Sequence, residues 1–200
     1  MAQKLIFATQ NVNKMIEIKQ ILKELPYEII SMGDAGIDID VVEDGMTFEE
    51  NAAKKAREIM EHTGELVLAD DSGLEIDFLN KEPGIYSARY LGKDTPYPEK
   101  NRIILERLEG VDDESRTARF VCVIAAAFPN GNVLTARGTI EGRIAYDIMG
   151  KGGFGYDPIF FVPEYNKTTA EMTSEQKNSI SHRGNALRLI SKMIEERLSL

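Results

Sequence analysis

The nine residues Leu66–Leu74 constrain the fold more than any other stretch of the chain. Three large apolar residues and an alanine lead directly into Asp70 and Asp71, which are followed by a serine and a glycine. An apolar run of this length predicts a buried strand. We expect the strand to end at the two acids, which would then lie at an edge of the sheet, where α/β proteins bind ligands.

Asp70 and Asp71 are predicted to have different tasks, because neighbouring side chains of an extended backbone point in opposite directions. One carboxylate would serve a functional site, and the other would brace the loop. The alternative is that Asp-Asp-Ser-Gly is a simple turn in which an aspartate accepts a local hydrogen bond.

The first predicted strand is followed by a polar turn and a helix. Leu5–Ala8 is apolar, Thr9–Lys14 is polar, and apolar residues then return at helical spacing over 15–25. An asparagine of the turn, Asn11 or Asn13, would cap this helix.

Lys14 would lie in the first turn of the helix, where a cation opposes the helix dipole. A structural reason for a lysine at this position is lacking, whereas an anion bound at the helix N-terminus would make it favourable. The turn has no glycines, so it is not a Walker-type phosphate loop.

Further elements are predicted from the same patterns. In chain order they are a strand at Tyr27–Met32 after Pro26, an acidic loop at Asp38–Gly45, a helix from Thr47 to Gly64, a helix at Pro98–Leu108, and strands at Thr117–Phe128 and Val133–Ile144. Thr47 and Glu50 match a capping box. The strand from Thr117 is apolar on both faces, which favours a central place in its sheet.

The last third of the chain contains two unusual segments. Four glycines surround Phe154 and Tyr156 within Gly150–Pro158. Glycines at this density let the backbone fold tightly or approach a ligand, and aromatic rings can stack on a flat ring. Further on, His182 and Arg183 stand at a break between two helical segments, and we expect both side chains to be exposed.

The net charge limits the class of ligand. The chain has 24 Lys and Arg against 33 Asp and Glu, a net charge of −9, which argues against a protein that grips nucleic acid through its phosphates. A local cluster of lysines can still bind a small polyanion. The single cysteine, Cys122, is predicted to be a core residue. No apolar run approaches membrane-spanning length, and we expect a cytoplasmic protein.

The segments singled out above, and those near them, also carry cationic side chains, namely Lys14, Lys55, Lys151, Lys177 and Arg183. Glu43 and Asp71 could supply oxygen ligands to Mg²⁺, which proteins hold with a few carboxylates plus substrate phosphate. Cations, Mg²⁺ and an aromatic surface together fit a nucleoside polyphosphate.

Six segments, in this order along the chain, resemble the inosine triphosphate pyrophosphatases, a family that hydrolyses triphosphates of deaminated purine nucleosides. They are Thr9-x-Asn11-x-x-Lys14, Thr47-Phe48-x-Glu50-Asn51-Ala52-x-x-Lys55-Ala56, Ala69-Asp70-Asp71-Ser72-Gly73-Leu74, Phe154-Gly155-Tyr156-Asp157-Pro158, Lys177 and Ser181-His182-Arg183-Gly184. The segments span nearly the whole chain. Gln10 departs from the family, in which many members have a small residue, but its presence removes no ligand.

The resemblance implies an α/β fold with an elongated mixed central sheet flanked by helices, in two lobes with a cleft between them. It implies one nucleoside-triphosphate pyrophosphatase domain over residues 1–200, assembled as a homodimer. A nucleic-acid or membrane partner is not expected.

The resemblance also implies roles for individual residues. Glu43 and Asp71 would hold Mg²⁺, and Asp71 would accept a proton. The residues implied to contact substrate are Thr9, Gln10, Asn11, Val12, Asn13, Lys14, Lys55, Ser72, Phe154, Gly155, Tyr156, Asp157, Lys177, His182 and Arg183. Because an aspartate that coordinates Mg²⁺ is a weaker base, Asp70 remains an alternative proton acceptor.

The family's reaction cuts between the α- and β-phosphates and gives a nucleoside monophosphate and pyrophosphate. Two alternatives stay open, a pyrophosphatase that acts on pyrimidine triphosphates and a nucleotide sensor that does not hydrolyse. Glu43 and Asp71 argue against the sensor, since binding alone would not require the acids. Donors on His182 and Arg183 would pair with the C6 carbonyl of inosine or xanthine.

Overall fold

The structure is a computed structural model that describes residues 3–23 and 26–198. Its strands are β1 (Gln3–Phe7), β2 (Tyr27–Ser31), β3 (Val67–Ile76), β4 (Thr117–Ala127), β5 (Val133–Ile144), β6 (Phe160–Val162) and β7 (Lys167–Thr168). Its α-helices are α1 (Val12–Ile21), α2 (Phe48–Thr63), α3 (Tyr97–Arg107), α4 (Ser174–Ile180) and α5 (His182–Leu198). Across these two ranges, no helix has the length and apolar character needed to span a membrane.

The strands form one mixed sheet in the order β2-β1-β3-β4-β5-β6-β7. Strand β1 pairs in parallel with β2 and with β3, whereas β6 pairs in antiparallel fashion with β5 and β7. The predicted α/β fold with a mixed sheet is therefore confirmed. Strand β4 takes the middle position of the sheet. Its first three residues are partly exposed in alternation, and Phe120 to Ala127 are buried on both faces, as the apolar sequence predicted.

Strand β1 stands at a topological switch point. The chain passes from β1 through α1 to β2 on one side, and then through α2 to β3 on the other side. Phe7 at the end of β1 pairs with Leu68 of β3. The turn over 9–14 and the acids Asp70 and Asp71 both follow this last pair closely, in the place where open α/β sheets bind ligands.

The chain divides into two compact units. The first unit comprises Met1–Asp71, Cys122–Gly138 and His182–Leu200, and the second unit comprises Ser72–Val121 and Thr139–Ser181. Three of the boundaries fall inside β3, β4 and β5, so no linker separates the units in the sequence. Whether residues 1–200 act as one domain stays a prediction.

Each unit has its own apolar core. In the first unit, Phe7, Ile18 and Leu68 pack with α5 residues such as Leu187 and with Cys122, which is fully buried as predicted.

In the second unit, Leu74, Ile76 and Ile104 pack with Phe160. The rings of Phe120 and Phe160 lie 4.4 Å apart, centroid to centroid. Aromatic pairs at this distance add to the free energy of area burial.

Local signals set the helix ends where expected. Asn11 caps α1 by accepting a hydrogen bond from the Lys14 N–H, and Thr47 caps α2 by accepting one from the Glu50 N–H. The capping box is half right, because the Glu50 carboxylate accepts from the Met46 N–H instead of that of Thr47. Helix α1 ends at Ile21, before Pro26, and Leu25 lies outside the described residues.

Strand β3 differs from the prediction. It does not end at the two acids but continues through them to Ile76. Leu74 and Ile76 are both fully buried in the second core, and their alternate spacing keeps the backbone extended. Asp70 and Asp71 are therefore buried inside a central strand, 1% and 7% exposed, and not in a Ser-Gly turn at its end.

Candidate active site

The turn over 9–14 is shaped by its own side chains. The Thr9 hydroxyl accepts a hydrogen bond from the Asn11 N–H at 3.2 Å, and the Asn11 side chain accepts from the Lys14 N–H at 3.1 Å. Thr9 is buried, while Gln10, Asn11, Val12 and Asn13 are exposed. Exposed residues thus surround the N-terminus of α1, the end of a helix that favours anions.

Asp70 lies between two cations of the first unit. Its Oδ2 is 2.8 Å from Lys14 Nζ and 3.4 Å from Arg183 Nη2. Burial alone would raise the pKa of Asp70, but the charges of Lys14, Arg183 and Lys55 outweigh it and hold that pKa far below its usual range. Asp70 is therefore a permanent anion at any pH near neutrality.

This pair corrects one prediction about Lys14. The lysine has a structural reason for its place in the first turn of α1, since it neutralises the buried Asp70. Its side chain keeps 19% exposure, so the same ammonium remains accessible to a ligand at the helix N-terminus.

Arg183 and His182 are also placed differently from expectation. They were predicted to be exposed, yet Arg183 is 2% and His182 is 7% exposed. Arg183 donates to the carboxylate of Glu17 on α1 as well as to Asp70. A buried guanidinium is stable only when it is paired in this way.

Glu17 is a member of this cluster that the sequence analysis missed. It lies three residues after Lys14, so both side chains project from the same face of α1. That spacing is the only local signal, and its partner Arg183 is 166 residues away in the sequence.

Asp71 has the opposite electrostatic surroundings. Burial and the nearby charge of Glu43 raise the pKa of Asp71 to about 6, against the lowering effects of the Asn51 hydrogen bond and of Lys55 and Lys14. Asn51 Nδ2 donates to Asp71 Oδ2 at 3.0 Å. A carboxyl with this pKa gains and loses a proton close to neutral pH.

Glu43 reaches this neighbourhood from the loop before α2. Its carboxylate is paired with the ammonium of Lys55, which also interacts electrostatically with Asp70 and Asp71 of β3. Burial would lower the pKa of Lys55, but Asp70 and Glu43 raise it. Lys55 is therefore held as a cation beside Glu43, Asp70 and Asp71.

The second unit contains a separate cluster around Asp157, which is 2% exposed. Asp157 Oδ2 accepts hydrogen bonds from the Phe154 N–H and from Lys177 Nζ, each at 2.7 Å. Its Oδ1 accepts from the hydroxyl of Thr169, also at 2.7 Å. The ammonium of Lys177 lies 4.9 Å from the centre of the Phe154 ring, so aspartate, lysine and aromatic ring form one fixed group.

Gly153 makes this arrangement possible. A Cβ at this position would lie 2.2 Å from Asp157 Oδ2, and its φ is +68°. Side chains other than glycine are excluded by the contact and disfavoured by the backbone conformation.

A family model described as "Ham1 family" matches residues 5–193 of the chain. The chain belongs to the Ham1 family. A protein named dITP/XTP pyrophosphatase from Clostridium perfringens is 53% identical over 191 residues, which are 92% of this chain and 94% of that protein. One of the same name from Bacillus subtilis is 45% identical over 190 residues, or 95% and 96% of the two chains.

Solved Ham1 structures agree with the fold of this Ham1 protein. The structure of a HAM1 protein from Coxiella burnetii has a TM-score of 0.87 and 43% identity, and it covers 97% of this chain and 99% of its own. The Ham1 protein of Staphylococcus aureus also has a TM-score of 0.87, with 40% identity over 98% and 100% of the chains. The predicted resemblance is confirmed.

In this Ham1 protein the predicted site residues fall into the two units. The first unit brings together Lys14, Glu43, Lys55, Asp70, Asp71 and Arg183. The second unit brings together Phe154, Asp157 and Lys177.

Three other predicted residues, Tyr156, Ser72 and Lys151, also belong to the second unit, and Lys151 lines one pocket with Phe154. Tyr156 is buried, its hydroxyl donates to the Ser87 carbonyl, and its ring packs edge-on against Tyr97. Ser72 is half-buried in β3, and Lys151 is exposed.

Proposed function

We propose that this Ham1 protein hydrolyses ITP, dITP and XTP to the nucleoside monophosphate and pyrophosphate. The observation that carries the proposal is the pair of neighbouring carboxyls in β3, one held ionised by cations and the other with a pKa near neutrality. The names of the curated relatives support the substrate class. A protein that only bound nucleotides would not need buried acids beside its cations.

The phosphates would bind at the N-terminus of α1. N–H groups of that turn and the ammonium of Lys14 offer donors to phosphate oxygens. Lys55 adds a second cation, which the surrounding acids hold in its charged form. Phosphoryl transfer depends chiefly on positioning and charge stabilisation, so these groups would supply much of the rate.

Glu43 and Asp71 fit a hard divalent cation, and we propose Mg²⁺. Burial raises the pKa of Asp71 and the nearby charge of Glu43 raises it further, so a cation held by both acids would relieve their repulsion. Among residues 3–23 and 26–198, no group of three or more His, Cys, Asp or Glu could hold an ion. Two carboxylates, with water and substrate phosphate completing the set, suit Mg²⁺. Bound Mg²⁺ supplies charge neutralisation and a lowered pKa for water.

Asp71 is the proposed proton acceptor for the attacking water. Asp70 is the weaker candidate even where bound Mg²⁺ lowers the pKa of Asp71, because Lys14 and Arg183 pair with Asp70 and suppress its proton affinity. Asp70 would instead orient Lys14 toward the phosphates. This assignment favours Asp71 over the alternative that the sequence left open.

The second unit offers two groups that could recognise a purine base. Phe154 offers a ring for stacking, and the ammonium of Lys177 offers only donors. Such donors suit the C6 carbonyl of inosine and xanthine and oppose the C6 amino group of adenine, whereas Arg183 is buried and donates to Glu17 and Asp70. Burial makes such a mismatch unfavourable by about 1–3 kcal/mol for each group.

We propose two further properties on the strength of the family resemblance. The protein would form a homodimer and act in the cytoplasm, where nucleotide pools are used. Light scattering coupled to gel filtration would give twice the mass of one chain, and a monomer mass would reject the dimer.

Release of pyrophosphate from ITP is the decisive assay. We expect inosine monophosphate and pyrophosphate in equal amounts with Mg²⁺, far slower turnover of ATP, and loss of activity in EDTA. Binding of ITP without any product would indicate a sensor, orthophosphate would place the cut at the γ-phosphate, and faster turnover of a pyrimidine triphosphate would indicate the other alternative.

A further inference from the structure

Asn51 is a fully buried amide in the first turns of α2. Asparagine is a weak helix former, and a buried amide is unfavourable unless its polar atoms are all bonded. The contacts made by the two ends of its side chain account for its position.

The two ends of the Asn51 side chain join two different segments. Nδ2 donates to Asp71 Oδ2 at 3.0 Å, and Oδ1 accepts from the Gly45 N–H at 2.8 Å. A carboxylate only accepts and a backbone N–H only donates, so this orientation of the amide is determined by its partners. One side chain thus bridges β3 and the loop before α2.

Gly45 is pressed against the start of α2 by this bond. A Cβ on Gly45 would lie 2.7 Å from Glu50 Cβ and 2.8 Å from Asn51 Oδ1, closer than packing allows. The next residue, Met46, donates its N–H to the Glu50 carboxylate at 2.6 Å. The end of the loop is therefore anchored tightly on the helix, two residues after Glu43.

One face of α2 contacts both Glu43 and Asp71. Asn51 and Lys55 are four residues apart, so their side chains project from the same face. Asn51 contacts Asp71, and Lys55 pairs with Glu43.

We infer that Asn51 is a positioning residue that sets the distance between the carboxylates of Glu43 and Asp71, and that it thereby determines the affinity of the site for a divalent cation. The inference rests on the proposed function, in which these two acids hold Mg²⁺. Groups that orient metal ligands typically contribute about 10- to 100-fold to metal affinity.

Binding of Mn²⁺ alone tests the inference without the reaction. Free Mn²⁺ is measured by electron paramagnetic resonance with wild type, Asn51→Leu and Asn51→Ala, in the absence of nucleotide. We expect the Kd for Mn²⁺ to rise about 10- to 100-fold in both variants. Asn51→Ala provides the test if the larger leucine side chain prevents folding. Thermal unfolding in EDTA identifies which variants are folded.

Asn101→Leu is the matched control. Asn101 is also a buried asparagine near the start of a helix, 2% exposed, but its Nδ2 donates to the Gly155 carbonyl in the second unit. Its substitution removes a buried amide without touching either acid, so the Kd for Mn²⁺ should stay within about twofold of wild type.

Folded Asn51 variants that bind Mn²⁺ as tightly as wild type would overturn the inference. So would a wild-type protein that binds no Mn²⁺, and that result would also reject the metal assignment of Glu43 and Asp71. Pyrophosphate release from ITP is measured separately, so the proposal of hydrolysis succeeds or fails independently of the role of Asn51.

Discussion

Lys14 Nζ lies 2.8 Å from Asp70 Oδ2, which ties the first turn of α1 to the middle of β3. The next residue of the strand, Asp71, accepts from Asn51 and has Glu43 as a neighbour. Two adjacent carboxyls thus differ in pKa, because cations lower the pKa of Asp70 whereas burial and a second acid raise the pKa of Asp71. The difference leads to opposite expectations for the same Asp→Asn substitution.

Asp71→Asn should abolish hydrolysis and stabilise the fold. Loss of a general base or metal-bound carboxylate lowers the rate at least ~100-fold, while removal of a buried charge beside Glu43 relieves repulsion. We expect the Tm in EDTA to rise by about 2–4 °C, the shift that 1 kcal/mol produces in a chain of this size. Turnover of ITP above a tenth of wild type at saturating Mg²⁺ would reject the role of Asp71.

Asp70→Asn should destabilise the protein strongly. It leaves Lys14 and Arg183 without the buried anion that balances them, and loss of one partner of a buried pair typically lowers the free energy of unfolding by about 3–5 kcal/mol. Urea unfolding measures the change. Asp71→Asn is its matched control, and a similar unfolding midpoint for the two variants would contradict the assignment of opposite surroundings.

Lys14→Ala should weaken binding of the triphosphate by roughly 1.5–3 kcal/mol, the range for a hydrogen bond to a charged group. Calorimetry with a non-hydrolysable ITP analogue measures it, and binding of the free nucleoside should not change. Lys19→Ala, on the exposed surface of the same helix and 3.7 Å from Asp34, is the control. Equal losses for nucleoside and triphosphate would indicate a folding defect.

Asp77→Asn should lower the free energy of unfolding at neutral pH, and should lower it less in acid. Arg119 Nη1 and Nη2 donate to the two oxygens of Asp77 at 3.0 and 3.1 Å, and these bonds hold the pKa of Asp77 far below its usual value. The stabilisation, about 1 kcal/mol for a partly exposed network, is present above the unfolded pKa of ~3.9 and is lost as the pH falls toward the folded pKa. Thermal unfolding at pH 7 and pH 2.5 tests this, because the difference between wild type and variant should shrink in acid. A difference at pH 2.5 as large as that at pH 7 would contradict it.

Local chemistry made the helix ends predictable. Asn11, Thr47 and Gly64 act through bonds and backbone angles within a few residues, so the sequence pattern contains all that is needed. The central place of β4 in the sheet was equally predictable, because a strand that is apolar on both faces must be covered on both faces.

Burial of charge was not predictable in the same way. Asp70 and Arg183 looked exposed because a buried charge is unfavourable when considered alone. The two residues lie 113 apart along the chain, and only the fold brings them together. The same holds for Glu17, whose role depends on α5.

The ion pair of Lys14 and Asp70 includes a third residue, Arg183, which is synthesised after both of them. Helix α5 supplies Leu187, Ile190 and Ile194 to the first core, and Arg183 to Asp70. During translation the ribosome completes the segments of the second unit, Ser72–Val121 and Thr139–Ser181, before it delivers α5. The nascent chain therefore carries Lys14 and Asp70 for most of its synthesis without the arginine that also pairs with Asp70. Because domains generally fold as units, we expect the cluster of Lys14, Asp70 and Arg183 to form only after α5 has left the exit tunnel.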